Sequence, residues 1–566
     1  MILSPPSQKK YNMNFNQPKF IKSLLVFIFL TLSLSEFSEV YSSSDTLNHP
    51  VLFPGWPKSF RWEILSGPTQ SVVLANLDTL PNLEIVAGFP YDSLYVWKYD
   101  GTNLNNWPIM VQPESAHYEI VPAVGDVDGD GKLDIAVTKW QRGQYFSLLY
   151  VFHKDGSIMQ GFPVEILGAS ATAPALYDLN GDGKLEIIAS GAVHDIDTLV
   201  YVYNYKGEIL PGWPQRVANL PYEAIMQQPA VGDLDGDGEP EIVATGSQAI
   251  YAWHIDGTPL RGWPVKAEKD FYFGWIHHVV LSDLDNDGYL EVLASAFHDY
   301  PIFTGYVAVW RYDGTYMPGF PKYYEVQPNT TPIPGDIDND GDKEIAFMTG
   351  EFLSDPPKPN IHILRIDGTE LPGWPIYLEE LTYEDLALVD IDGDNSVEII
   401  VRGQNRQPLH RYGRIYAYHK DGTLVPGYPL DLFGWTNEFS PNFGDVNKDG
   451  LLDMAMLTQY GSYYVYLFNM NVPYHPDKIL WGKLFHDNYN TNNTEFGVIR
   501  KKGDFNNSGS PDITDVIFLL NYLFKNGKKP GYPYQADVNC DSRINVSDLI
   551  QLYRYLFQNG RPLCPS

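Results

Sequence analysis

The sequence predicts a mainly β protein: an eight-bladed β-propeller, with seven blades as the alternative count, followed by a small α-helical module that carries two further acidic loops. Three observations carry this reading. One unit recurs eight times between about residues 51 and 471, each time with an acidic loop between two short apolar runs. The unit's closing step is displaced by one repeat, as a ring closed by its own N-terminus requires. After about residue 500 the composition changes to two loop–helix units.

The acidic loops begin at Asn76, Asp126, Asp178, Asp233, Asp283, Asp336, Asp390 and Asp445, spaced 50 to 55 residues apart. A fixed period of that size marks a propeller or a solenoid, and short strands between turns favour the propeller. Within a unit, a strand such as Glu241-Ile242-Val243-Ala244 is followed by Tyr251-Ala252-Trp253. An Asp256-Gly257 turn and a Gly262-Trp263-Pro264 step come next. This last step, or a variant, recurs at Trp107, Phe162, Trp213, Trp263, Phe320, Trp374 and Tyr428, but not after Tyr463–Tyr466 of the eighth unit. An orphan copy, Gly55-Trp56-Pro57, precedes the first unit. The N-terminal segment is therefore expected to supply the outer strand of the last blade, which leaves no free sheet edge.

In the loop Asp126, Asp128, Asp130, Lys132, Asp134, carboxylates stand at positions 1, 3, 5 and 9, with Gly131 at position 6. A hard cation such as Ca²⁺ takes six to eight oxygens, and alternating side chains in a tight loop converge on one ion. Position 7 offers its backbone carbonyl, so Lys132 need not be an acid. The same ligand set reads Asp178, Asn180, Asp182, Lys184, Glu186 in the third unit and Asp233, Asp235, Asp237, Glu239, Glu241 in the fourth. The fifth and sixth give Asp283, Asp285, Asp287, Tyr289, Glu291 and Asp336, Asp338, Asp340, Asp342, Glu344. The seventh and eighth give Asp390, Asp392, Asp394, Ser396, Glu398 and Asp445, Asn447, Asp449, Leu451, Asp453. The first loop, Asn76 to Glu84, lacks an oxygen at position 5 and is expected to be weak or empty. The formal charge is −31. Setting aside the side-chain carboxylates at positions 1, 3, 5 and 9 of the other seven loops, together with those of two C-terminal loops described below, leaves 38 acids against 39 bases, so the excess sits where cations are expected. That charge excludes a nucleic-acid partner.

The unit Ala230-Val231-Gly232-Asp233-Leu234-Asp235-Gly236-Asp237-Gly238-Glu239-Pro240-Glu241-Ile242-Val243 resembles the FG-GAP/VCBS repeats of integrin α-chain propellers and of many bacterial surface proteins. The resemblance implies blades in a ring, with calcium in the loop between a blade's first two strands. It implies a protein or carbohydrate ligand for the propeller. Some eight-bladed relatives, similar to rhamnogalacturonan lyases, are enzymes.

Near the C-terminus, Asp504, Asn506, Ser508, Ser510, Asp512 and Asp515 form a twelve-residue calcium loop. A helix follows with Val516, Leu519, Leu520 and Leu523 on one face. Thirty-three residues later Asp537, Asn539, Asp541, Arg543, Asn545 and Asp548 repeat the loop, followed by Leu549, Leu552, Tyr553 and Leu556. Ser510 and Arg543 would serve through their carbonyls. Position 12 is Asp in both, where an EF-hand has Glu. The pair resembles a type I dockerin, which implies docking to a cohesin-like domain on a scaffold or surface. The resemblance assigns recognition to loop positions 10 and 11, here Ile513-Thr514 and Val546-Ser547, which depart from the family's Ser/Thr pairs. Cys540 and Cys564 are the two cysteines. In an exported chain they suggest one disulfide, with two free thiols as the alternative.

Lys19 and Lys22 precede an apolar run, Leu24 to Leu34, too short to span a bilayer comfortably. Cleavage after Ser42 gives a secreted protein; an uncleaved anchor is the alternative. The boundaries that follow are a signal peptide over 1–42, the propeller over 43–470, a linker over 471–500 and the dockerin-like domain over 501–566.

No Gly-x-Ser-x-Gly, His-Glu-x-x-His or phosphate loop occurs. Two clusters stand outside the repeat: Tyr272, Trp275, His277 and His278, and Arg402, Arg406, Arg411 and Arg414. Two functions fit: a noncatalytic extracellular binding or adhesion scaffold, or a carbohydrate-active enzyme, either polysaccharide lyase or glycoside hydrolase.

Overall fold

Eight separate antiparallel sheets account for the repeats, one per unit. The structure is a computed structural model that describes residues 50–61, 71–78, 80–89, 93–111, 122–140, 146–168, 170–192, 198–217, 228–268, 271–273, 278–298, 304–350, 359–378, 380, 386–404, 412–436, 440–495, 503, 511–525, 536, 538–539, 544–558 and 563. The fourth blade shows the plan. Ala230–Gly232 pairs Glu241–Thr245, which pairs Ala249–Trp253, which pairs Val265–Lys266. The inner strands are three residues long and mostly buried throughout, as in Val73–Ala75, Ala123–Gly125 and Ile333–Gly335. Blades stack face to face, so both faces of a strand are covered. That is why these strands read as continuous apolar runs rather than alternating ones. The core is correspondingly a set of inter-blade clusters, such as Ile187, Ala189 and Phe162 packed with Val151 and Leu149.

The ring closes as the displaced step predicts. Val51–Leu52 and Lys58–Arg61 both pair with Ser462–Pro473, with Val51 opposite Asn469 and Phe60 opposite Tyr463. Trp56 then reaches forward into the first blade. Its Nε1 donates to the Tyr99 carbonyl at 2.7 Å, and its ring meets Trp97 edge-on at 5.8 Å. The same staple joins later neighbours, from Trp107 to Lys154, Trp213 to Ile255, Trp263 to Tyr312 and Trp374 to Lys420. Glycine precedes most of these aromatics, and at Gly55, Gly161, Gly212, Gly262, Gly319 and Gly373 the reason is that the step lies against the next blade's turn. At Gly212, with φ of 89°, a Cβ would stand 1.9 Å from the Asp256 carbonyl oxygen.

Residues 471–500, read from the sequence as a linker, are through Glu495 part of the propeller. Ile479–Trp481 adds a strand to the inner strand Ala387–Val389 of the seventh blade. The chain then lines the central channel. Val124, Leu176, Val231 and Leu281, each the middle residue of an inner strand, donate their N–H to the carbonyls of Asn488, Tyr489, Thr491 and Asn492 at 2.7–3.0 Å. Three asparagine side chains work in the opposite sense. Asn488 donates to the Leu74 carbonyl, Asn490 to that of Pro174 and Asn493 to that of Val231. Inner strands are sheet edges with unpaired backbone groups, and those groups need partners. The polar run supplies them. Asparagine also suits the bends, because Asn490 and Asn492 have φ of 58° and 52°.

In the C-terminal module, helix α1 is Ile513–Lys525 and helix α2 is Val546–Phe557. Val516, Leu519, Val538 and Leu552 are buried between them, with Leu523, Leu549 and Leu556 packed alongside. Leu520 and Tyr553, read from the sequence as core stripe, are instead 37% and 44% exposed. The inward stripe is narrower than the sequence pattern suggests, since two short helices bury only a thin seam. Among the described residues no helix is long and apolar enough to cross a membrane. The leader, Cys540 and Cys564 lie outside the described residues.

Candidate metal centres

Each loop between a blade's first and second strands is folded by its own carboxylates. In five loops the position-1 aspartate accepts backbone N–H groups from positions 5 and 6, as Asp126 does from Asp130 and Gly131 at 3.0 and 2.8 Å and Asp445 from Asp449 and Gly450 at 3.1 Å each; in the seventh, Asp390 accepts from Gly393 and Asn395 instead. The position-5 carboxylate accepts the N–H of position 7, from Lys132, Lys184, Glu239, Tyr289, Asp342, Ser396 and Leu451. The position-9 acid opens the second strand and accepts the N–H of position 2, as Glu241 does from Leu234 at 2.8 Å. The first blade folds alike, with Glu84 accepting from Leu77 at 2.8 Å. In that blade, however, Asn76 spends its side-chain amide on the Leu80 carbonyl.

Among the described residues, five loops bring carboxylates close enough to share one ion, with the ligand atoms of each group within 4.8 Å of one another. They are Asp126, Asp128, Asp134; Asp233, Asp235, Glu241; Asp283, Asp285, Glu291; Asp336, Asp338, Glu344; and Asp392, Asp394, Glu398 with His419. The third and eighth loops place Asn180 and Asn447 at position 3. Asn180 donates to Glu186 at 2.9 Å and Asn447 to Asp449 at 2.8 Å.

The residues fit a cation on an independent count. Buried oxygens Oδ1 of Asp233, Oδ1 of Asp285, Oε1 of Glu291 and Oδ1 of Asp453 have no hydrogen-bond partner. A buried carboxylate oxygen without a donor is costly unless a cation faces it. Burial, with neighbouring carboxylates, pushes Glu241, Glu291 and Glu398 up to about 9 and Asp453 to about 7.

One position that the sequence reading missed faces these loops in most blades: the residue ending or following the third strand. Its equivalence is set by a shared backbone bond to the turn, from Lys98, His153, Asn204, His254, Arg311, Arg365 and His419. His153 contacts Asp134 at 2.9 Å, His254 contacts Glu241 at 3.0 Å and His419 contacts Glu398 at 3.4 Å. Arg311 reaches Asp285 at 3.1 Å and Asp287 at 3.8 Å, while Lys98 reaches Asp78 at 3.6 Å. Arg365 turns away to the Glu370 carbonyl. Aligning the repeats on their Asp-Gly turns would have exposed this column of basic and amide residues.

In the C-terminal module, Asp515 and Asp548 are fully buried. Each folds back on its loop, accepting from the N–H of Asp512 at 2.8 Å and of Asn545 at 2.9 Å. Asp504, Asn506, Ser508, Ser510, Asp537, Asp541 and Arg543 lie outside the described residues. So do Trp275, His277, Arg406 and Arg411. His278 sits in the channel, its ring 4.7 Å from Phe485 and its Nδ1 accepting from the Gln228 N–H. Arg402 is buried, and Arg414 is held by Glu380 and Asp431 at 2.8 Å each.

Blade geometry and acidic loops define the class as a β-propeller with an acidic loop in each repeat, and the family models match the same repeats. Residues 178–244, 233–294 and 390–456 match the FG-GAP-like repeat, and residues 502–557 match the dockerin type I domain. The chain thus carries FG-GAP-like repeats and a type I dockerin domain. No curated protein matches it. Similar solved structures include the V. cholerae biofilm matrix protein Bap1, at 13% identity over 76% of this chain and 92% of that one, with a TM-score of 0.46. Rhamnogalacturonan lyase YesW shows 17% identity over 76% and 78%, with a TM-score of 0.47. A Bacillus licheniformis rhamnogalacturonan lyase shows 14% identity over 76% and 94%, with a TM-score of 0.39.

Proposed function

We propose that the chain is a secreted calcium-binding propeller that presents a carbohydrate- or protein-binding surface and docks through its dockerin to a cohesin-like domain. In this reading residues 1–42 are removed on export. Seven loops, from Asp126 to Asp453, and the two dockerin loops each hold Ca²⁺. The ion supplies positive charge at the convergence of the loop oxygens, and the carboxylates hold it and order the turn into the second strand. The orphaned oxygens of Glu291 and Asp453 support this.

Docking rests on one observation above all. Helix α1 exposes Ile513, Ile517, Leu520 and Phe524, and helix α2 exposes Val546, Ile550, Tyr553 and Phe557. The two sets occupy equivalent positions of the duplicated unit. Apolar side chains at 37–61% exposure on a small module mark an interaction face. A cohesin binding assay on the full chain, with calcium and with chelator, tests this; binding that survives calcium removal unchanged defeats it. A screen on plant and microbial polysaccharides, reading retention and new reducing or unsaturated ends, separates a binding propeller from a lyase or hydrolase.

A further inference from the structure

The segment in the channel does more than fill it, because both of its ends rest on the acidic loops. On the way in, the Tyr474 N–H donates to the Gly450 carbonyl in the eighth loop at 3.0 Å. The Lys478 ammonium donates to Asn339 of the sixth loop at 2.7 Å, and its carbonyl accepts from Asp390 of the seventh at 3.0 Å. On the way out, Thr494 bonds Ser282, the residue before the fifth loop, at 2.8 Å. Glu495 pairs with Lys343 of the sixth loop. Between these ends the chain bonds inner strands of blades one to five. It is braced internally by Lys483, buried and donating to Asn490 at 2.9 Å.

We propose that residues 474–495 are a calcium-dependent axial clasp: loops five to eight, ordered by their ions, seat both ends of the strap, and the strap locks the ring and moors the dockerin to the loop-bearing face. This rests on the calcium reading of the loops. Unoccupied loops carry clustered carboxylates that repel one another, so they lose the backbone shape that presents the Gly450 carbonyl, Asn339, the Asp390 N–H and Lys343. A strap held at neither end gives up its channel bonds one at a time, and inner-strand amides regain access to water. The dockerin match begins at residue 502, shortly after Glu495. A scaffold pulling on the dockerin therefore pulls on the clasp before it pulls on any blade.

Hydrogen exchange on the full chain tests this through four reporters, the N–H groups of Val124, Leu176, Val231 and Leu281. Second-strand amides such as Ile188 and Val243 serve as the internal reference. Native mass spectrometry counts bound ions in the same samples. With calcium, the reporters should exchange as slowly as the reference. In chelator, they should exchange at least about tenfold faster while the reference stays protected. Glu495→Gln should accelerate Leu281 with calcium present, at an unchanged ion count and an unchanged reference. Reporters that stay protected when the ions are gone overturn the clasp while leaving calcium binding standing. Simultaneous loss of reporters and reference also overturns it, because the strap then has no separate release. An ion count of zero in added calcium overturns the calcium reading itself.

Discussion

Removing calcium should make the propeller's stability fall as pH rises, the opposite of what ordinary salt-bridged carboxylates do. The position-9 acids Glu241, Glu291 and Glu398 have at most 1% of their surface exposed, and burial lifts them to about 9 from 4.5. In the unfolded chain they ionise near the ordinary value. Between about pH 5.5 and 8 the metal-free folded state therefore holds nearly one more proton at each site than the unfolded state. Stability drops where the folded state binds more protons, by about 1.4 kcal/mol per pH unit per group, or about 4 kcal/mol per pH unit for the three. The contribution is complete below the unfolded value and is lost on the way up to the folded one. For a domain of this size that amounts to about 5 °C in melting temperature per pH unit. Calcium binds the ionised forms, so the loaded protein should melt nearly independently of pH over the same window. Its binding should also release protons at neutral pH. Differential scanning calorimetry of dialysed, metal-free protein across that window is the assay. A metal-free melting temperature that is flat or rises with pH refutes the assignment of these buried acids to a cation site.

Other outcomes follow from single contacts. Trp56→Ala removes the staple between the last and first blades and should cost about 3–5 kcal/mol in urea unfolding; a loss under about 1 kcal/mol would mean that the ring does not depend on that closure. Arg311→Gln removes a cation from Asp285 and Asp287 and should tighten calcium at the fifth loop about tenfold, read by terbium luminescence sensitised through Tyr289. Arg365→Gln should leave the sixth loop unchanged, since that guanidinium faces away. Ile517→Asp with Ile550→Asp should abolish cohesin binding without lowering helicity, whereas either change alone should leave partial binding.

Blade count, ring closure and loop positions were legible in the sequence because each is written in side chains at a fixed offset. A Gly-aromatic-Pro step or an Asp-x-Asp-x-Asp spacing has the same cause in every repeat, so its displacement at Trp56 could be read as topology. The clasp was not legible, for a physical reason. Asn488 to Asn493 bonds chiefly with backbone groups of the inner strands, and a backbone carbonyl has no letter in the sequence. With no apolar period, such a run reads as linker. The module helices failed differently. Leu520 and Tyr553 continue an apolar pattern, and hydrophobicity alone does not tell a seam from a binding face.

Comparison between copies supplies what a single copy conceals. The seven complete acidic loops share one ligand plan, yet the residue ending or following the third strand is His153, Asn204, His254, Arg311, Arg365 or His419, and in the long third strand of the eighth blade the residue opposite Asp453 is Asn469. A loop with Arg311 against two of its aspartates already holds part of the charge an ion would bring. A loop whose histidine bonds only the position-9 acid leaves its other carboxylates free for the ion. Asn469 donates to Asp449 at 3.2 Å and adds no charge. Calcium affinities should therefore be graded around the ring, weakest in the fifth blade among the seven complete loops, and a stepwise calcium titration followed by ion counting should empty that site first. A single uniform affinity would show that the ligand loop alone sets binding, and that the residue behind it is a spectator.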